Sequence, residues 1–82
     1  MYSEIINTKL CEITGELYRR IDAEIEGAIL PQGCVRFTVR TKLTPWTHDI
    51  KLTTFCSLSS NEIANVVYKA YRKHIEKQFL KG

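Results

Sequence analysis

The sequence predicts a single α+β domain spanning residues 1–82, of order α-β-β-α, and three observations carry that reading. Apolar residues recur at spacings of three and four from Ile6 to Ile25, the period of an amphipathic helix. Two later stretches alternate apolar and polar residues, the period of a half-buried strand. A Ser59–Glu62 pair then stands ahead of a second helical stripe, in the spacing of a capping box.

The first helix is expected from about Ser3 to Glu26. Ile6, Leu10, Ile13, Leu17, Ile21 and Ile25 form its buried stripe, and Glu4, Glu12, Glu16, Arg19, Asp22 and Glu26 its solvated side. Gly15 lies on the polar side, and Gly27 follows the last periodic turn as a left-handed C-cap. Pro31 and Gly33 bar any continuation. Cys34 to Leu43 reads as a strand with Val35, Phe37, Val39, Thr41 and Leu43 on one face. His48 to Ser57 reads as a second strand, with Ile50, Leu52, Thr54 and Cys56 on one face. Thr44-Pro45-Trp46-Thr47 supplies the turn between them, giving an antiparallel hairpin. In the last helix Ile63, Val67, Ala70, Tyr71 and His74 share the inner stripe, while Lys69, Arg72, Lys73 and Lys77 lie outside it.

A 24-residue helix reaches about 36 Å, longer than a hairpin can cover, and an isolated hairpin is marginally stable. Both points predict a homodimer; the alternative is a monomer whose first helix bends across the second.

Hydrophobic residues make up 44% of the chain and charged residues 26%, a balance that disfavours disorder. The longest apolar run is Ala28-Ile29-Leu30, which excludes a helical membrane span, and Met1-Tyr2-Ser3-Glu4 lacks the character of a signal peptide. Cys11, Cys34 and Cys56 are odd in number and form no CxxC pair, so thiols in a reducing, cytoplasmic compartment are expected. The charge is divided unevenly. Residues 1–30 hold six acids and three bases, and residues 31–82 nine bases and three acids. That division marks either a polyanion-binding half or two halves that attract each other.

No catalytic constellation is expected, and therefore no enzyme. The histidines and cysteines are isolated in sequence, no metal or cofactor is expected, and the glycines are scattered rather than gathered in a phosphate cradle. Cys11 and Cys56 read as small buried apolar residues, and His74 as a hydrogen-bonded core or interface histidine.

The candidate binding residues are Arg36, Arg40, Lys42, Trp46, Lys51 and Phe55. Strands paired symmetrically about Pro45 and Trp46 would set Arg40 opposite Lys51, Lys42 opposite Asp49 and Arg36 opposite Phe55 on the outer face. Like charges opposed across strands are unfavourable. Such a face is either a phosphate-contacting ribbon or a solvated face that discourages edge aggregation. Trp46, the sole tryptophan, sits at the hairpin tip either as a contact hot spot or folded back on the end of a helix.

Gly15-Glu16-Leu17-Tyr18-Arg19-Arg20-Ile21, followed by a hairpin and a closing helix after Leu58-Ser59-Ser60-Asn61-Glu62, resembles the DinI family of small DNA-damage-inducible regulators of bacterial recombinase filaments. Two departures stand against it. Too few residues precede Gly15 to supply that family's leading strand, and the final helix is basic where the family's is acidic. The resemblance implies a small bacterial or phage regulator and carries over no residue roles. The expected function is thus a non-enzymatic regulatory or accessory protein that binds a protein partner stoichiometrically. The alternative is a nucleic-acid-binding module using the basic hairpin face.

Overall fold

A computed structural model describes residues 2–40 and 45–81. The chain has an α+β fold with a long N-terminal helix, a three-stranded antiparallel sheet and a long C-terminal helix. Helix α1 spans Tyr2–Ile21, β1 Glu24–Leu30, β2 Cys34–Arg40, β3 Trp46–Lys51, α2 Leu52–Ser57 and α3 Ser60–Lys81. The strands lie in the order β1-β2-β3, and α1 and α3 pack together on one side of the sheet.

α1 forms as its stripe predicts: Ile6, Ile13 and Leu17 are buried, and Leu10 and Ile21 pack against them. It stops short of Glu26, however. Asp22 adopts a left-handed conformation at φ 56°, and its N–H donates to the Tyr18 carbonyl at 3.0 Å. Asp tolerates that conformation better than most residues, so the helix is closed here rather than at Gly27. Residues 24–30, expected as the end of the helix and the start of a loop, form β1 instead. The periodicity was ambiguous at this point. Ile21, Ile25 and Ile29 are four apart, and a spacing of four keeps residues on one face of a strand as well as of a helix.

β1 pairs with β2 from Glu24↔Arg40 to Leu30↔Cys34. The Pro31-Gln32-Gly33 turn joins them, closed by Gly33 N–H to Leu30 O at 3.1 Å. Gly33 takes φ 85°, a value that side chains disfavour. Gly27 is needed for a different reason: a Cβ there would lie 2.7 Å from Leu10 Cδ1, so the missing side chain lets α1 settle onto β1.

The second hairpin departs from the symmetric register. β2 pairs with β3 as Val35↔Ile50, Arg36↔Asp49, Phe37↔His48 and Val39↔Trp46. β3 ends at Lys51, and the expected remainder of the strand folds as α2. Leu52, Phe55 and Leu58 are three apart, and this spacing turns Phe55 into the core, where it is fully buried. The competing alternation of Ile50, Leu52, Thr54 and Cys56 gives way, because a strand would leave Phe55 on the open face. Leu52 N–H donates to Gly33 O at 2.9 Å, and the Lys9 ammonium donates to the carbonyls of Phe55 and Leu58 at the end of α2. A lysine at that place satisfies carbonyls that have no partner within the helix.

The capping box forms as expected. Ser59 N–H donates to Glu62 Oε1 at 3.1 Å, and Glu62 N–H to Ser59 Oγ at 3.2 Å. Ile63, Ala64 and Val67 of α3 close the core over Val35, Phe37 and Ile50.

Of the two points behind the homodimer, the three-stranded sheet removes the lone hairpin and the helix proves four residues shorter than expected. α1 has 20 residues, about 30 Å, and the hairpin gains a third strand. Cys11 and Cys56 are exposed rather than buried, and no disulfide joins the cysteines. No helix among the described residues is long and apolar enough to cross a membrane.

Candidate interaction site

The face of the sheet opposite the helices carries Glu24, Glu26, Ala28 and Leu30 from β1. From β2 and β3 it carries Cys34, Arg36, Thr38, Arg40, Thr47, Asp49 and Lys51. The third strand therefore brings acids onto the face expected to be basic. Arg36 makes a bidentate pair with Asp49, Nε to Oδ1 at 2.8 Å and Nη2 to Oδ2 at 3.0 Å. That bond holds the Asp49 carboxyl below its ordinary range and pushes the Arg36 guanidinium further up. Arg40 reaches Glu26 at 3.0 Å rather than opposing Lys51, and Lys51 lies beside Cys34. The acidic first half and the basic second half of the chain thus meet across the sheet.

The six expected binding residues do not converge. Arg36, Arg40 and Lys51 lie on the open face, two of them in ion pairs. Phe55 is a core residue and cannot sit opposite Arg36. Lys42 lies outside the described residues. Trp46 is not a protruding tip but the first residue of β3, half-buried and packed against the core. Its ring stacks on His48 at 5.7 Å between centroids, meets the Tyr71 ring edge at 5.5 Å, and lies 5.9 Å from His74. Of the two roles open to Trp46, this is the packed one. It explains the placement of His74 on the inner stripe of α3.

Beside that cluster, between the last turn of α1 and the middle of α3, lies a groove of about 360 Å³. It is lined by Arg20, Ile21, Tyr68, Tyr71, Arg72, Ile75 and Glu76. Two guanidinium groups approach one ring there: Arg20 Cζ lies 5.7 Å and Arg72 Cζ 5.9 Å from the Tyr68 centroid. Both distances fall within cation–π range. Arg20 is fixed by Glu16 at 3.1 Å, Asn65 at 2.6 Å and Asn61 at 3.4 Å. Arg72 is exposed and makes no ion pair among the described residues. A partner carboxylate can therefore reach Arg72 without breaking an existing bond. The apolar floor of Ile21, Tyr71 and Ile75 suits a side chain delivered beside it.

A larger groove of about 550 Å³ runs between the first half of α1 and the start of α3. Its one ammonium, on Lys9, is already committed to the end of α2, so it offers an incoming group the exposed Ile5, hydroxyls and the carboxylates of Glu4 and Glu12, with no cation left over.

Tyr68 and Arg72 stand four apart, so the sequence shows that they are neighbours on one helix face. That Arg20 also reaches the ring depends on how α1 crosses α3, which a single sequence does not disclose. Among the described residues, no group of three or more His, Cys, Asp or Glu side chains is placed to hold a metal. Comparison of the chain with protein-family models, curated proteins and solved structures finds no match.

Proposed function

We propose that this chain is a small, non-enzymatic regulatory or accessory protein that acts in the cytoplasm by binding a protein partner stoichiometrically. The groove beside Tyr68 is its contact surface. The observation that carries this reading is the Arg20–Tyr68–Arg72 arrangement next to Tyr71 and Trp46. Arg, Tyr and Trp are the residue types that dominate contact energies at protein interfaces. A pre-positioned arginine and aromatic also lose little conformational freedom on binding. The partner that fits is a segment presenting a carboxylate to Arg72 and an apolar or aromatic side chain to the floor. The cytoplasmic placement rests on the three widely spaced thiols.

The experiment is capture from an extract of the native host, comparing the wild-type protein with two double variants. Tyr68→Ala/Arg72→Glu disables the groove, and Arg36→Ala/Arg40→Ala strips the sheet face. A partner retained at one-to-one stoichiometry by the wild type and the sheet variant, and lost with the groove variant, is the expected result. A parallel titration with DNA and RNA at several salt concentrations tests the phosphate alternative. Binding that weakens steeply with salt, with a slope that the sheet variant reduces, would replace the protein partner by a nucleic-acid backbone.

A further inference from the structure

The two edges of the sheet differ in what a second strand would meet. β1 forms one edge and β3 the other, and neither outer edge pairs with a strand among the described residues. An open edge is a template for a further strand. When two copies of one strand pair antiparallel about a two-fold axis, opposed residues must share a face, so the axis falls on a residue. In β1 that residue is Gly27, the middle of Glu24–Leu30, and the whole strand takes part. Glu24 then lies opposite Leu30 of the second copy, Ile25 opposite Ile29 and Glu26 opposite Ala28. No like charges oppose, and the isoleucines meet on the helix-covered face.

β3 behaves differently. The two registers that use most of its length centre on His48 or on Asp49, setting two imidazoles or two carboxylates directly opposite each other. Opposed carboxylates destabilise a strand pair, and the His48 register pairs only five residues, Trp46 to Ile50, against the seven of β1.

The helix above β1 is compatible with the same contact. Leu10 of α1 rests on Gly27. On the helical repeat, the side of α1 away from the residues that meet α3 carries Asn7, Cys11, Thr14 and Tyr18, an uncharged middle bounded by Glu4 and Asp22 at its ends. Tyr18 is 58% exposed and Ile29 43%, and both are large apolar residues left on this side of the molecule. The charges of α1 that meet other elements do so elsewhere: Lys9 at α2, and Glu12 and Arg20 at α3.

We propose that β1 is a self-association edge. Two copies pair antiparallel about Gly27 to form a continuous six-stranded sheet, with the uncharged middles of their α1 helices on the same side of it. This contact is separate from the Tyr68 groove and does not depend on it.

Sedimentation over a range of concentrations tests the pairing and its register. The wild type is expected at twice the 9.5 kDa chain mass. Ala28→Glu places a carboxylate opposite Glu26 at both symmetry-related positions and should weaken the dimer about tenfold. Ala28→Lys creates opposite-charge pairs at the same positions and should leave it intact or tighter. Ile29→Lys should dissociate it. Ala28 is exposed, so far-UV circular dichroism should show both Ala28 variants folded. Only a 9.5 kDa species at every concentration would overturn the proposal. So would a dimer indifferent to Ala28→Glu and Ile29→Lys, or an edge that accepts a strand from another protein but not from its own copy.

Discussion

Arg36 and Arg40 on the open face of the sheet each reach a carboxylate on a neighbouring strand, whereas Arg20 and Arg72 both approach the Tyr68 ring between two helices. The residue type is the same, but its availability differs. The Arg36 fork is occupied by Asp49 and Arg40 makes one contact with Glu26, so a ligand at either must compete with a carboxylate already in place. In the groove, only Arg20 is held, by Glu16 and two asparagines, and Arg72 keeps its donors for an incoming group. The position of an arginine within the charge pattern thus says less about binding than what already faces it. On this sheet, β3 supplies the carboxylate that faces Arg36 and β1 the one that faces Arg40.

Substitutions can break or sharpen that contrast. Phe55→Ala should have the largest effect, about 3–5 kcal/mol of lost stability, because the ring is fully buried under Lys9 rather than displayed beside Arg36. Chemical denaturation measures it, and a loss below about 1 kcal/mol would return Phe55 to the open face. Leu17→Ala should cost about 2–4 kcal/mol, since Leu17 is fully buried at the centre of the α1 stripe. Trp46→Ala should follow at about 2–3 kcal/mol, less than a fully buried ring because Trp46 is half-buried between His48, Tyr71 and His74. An unchanged melting temperature for that variant would make Trp46 a surface contact after all.

Ser59→Ala should cost about 1 kcal/mol through the lost cap. The same site predicts a pH effect. The Ser59 backbone N–H, followed by its hydroxyl, holds the Glu62 carboxyl below its ordinary range. A carboxylate whose folded value is depressed stabilises the fold above its unfolded value, and that stability is lost as pH falls through the folded value. Wild type should therefore lose more stability than Glu62→Gln as the pH drops below about 5. Parallel acid titrations of the two proteins would contradict the capping geometry. Arg36→Ala should have the smallest effect, close to the resolution of a melting experiment. Both partners of its ion pair are about two-fifths exposed and screened by salt.

Much of this architecture was legible from particular residues. The α1 stripe from Ile6 to Ile21, the alternation of Val35, Phe37 and Val39, and the Ser59–Glu62 box each have one dominant period or one local bond, and each forms where the sequence places it. The failures lie where two patterns overlap. Ile21, Ile25 and Ile29 satisfy both a helix and a strand, so β1 was absorbed into α1, and with it went the acids that neutralise the sheet face. Ile50 to Cys56 alternates like a strand, yet Leu52, Phe55 and Leu58 repeat every three residues, and burial of the phenylalanine decided between them. The expected hairpin register differs for another reason: it centres the turn on Pro45 and Trp46, whereas Trp46 already pairs with Val39. The groove escaped because Arg20 and Tyr68 lie 48 residues apart in a chain whose helix crossing no local signal reports.

The contrast between a committed sheet face and an open groove is tested most directly by asking which surface a partner touches in the cell. A photoreactive phenylalanine derivative placed at position 76, on the groove rim, or at position 47, on the open face of β3, leaves the core untouched. The fold predicts a discrete cross-linked protein from position 76 that is absent from position 47. Cross-linking from position 47 with none from position 76 would place the contact on the sheet and contradict the assignment of the groove.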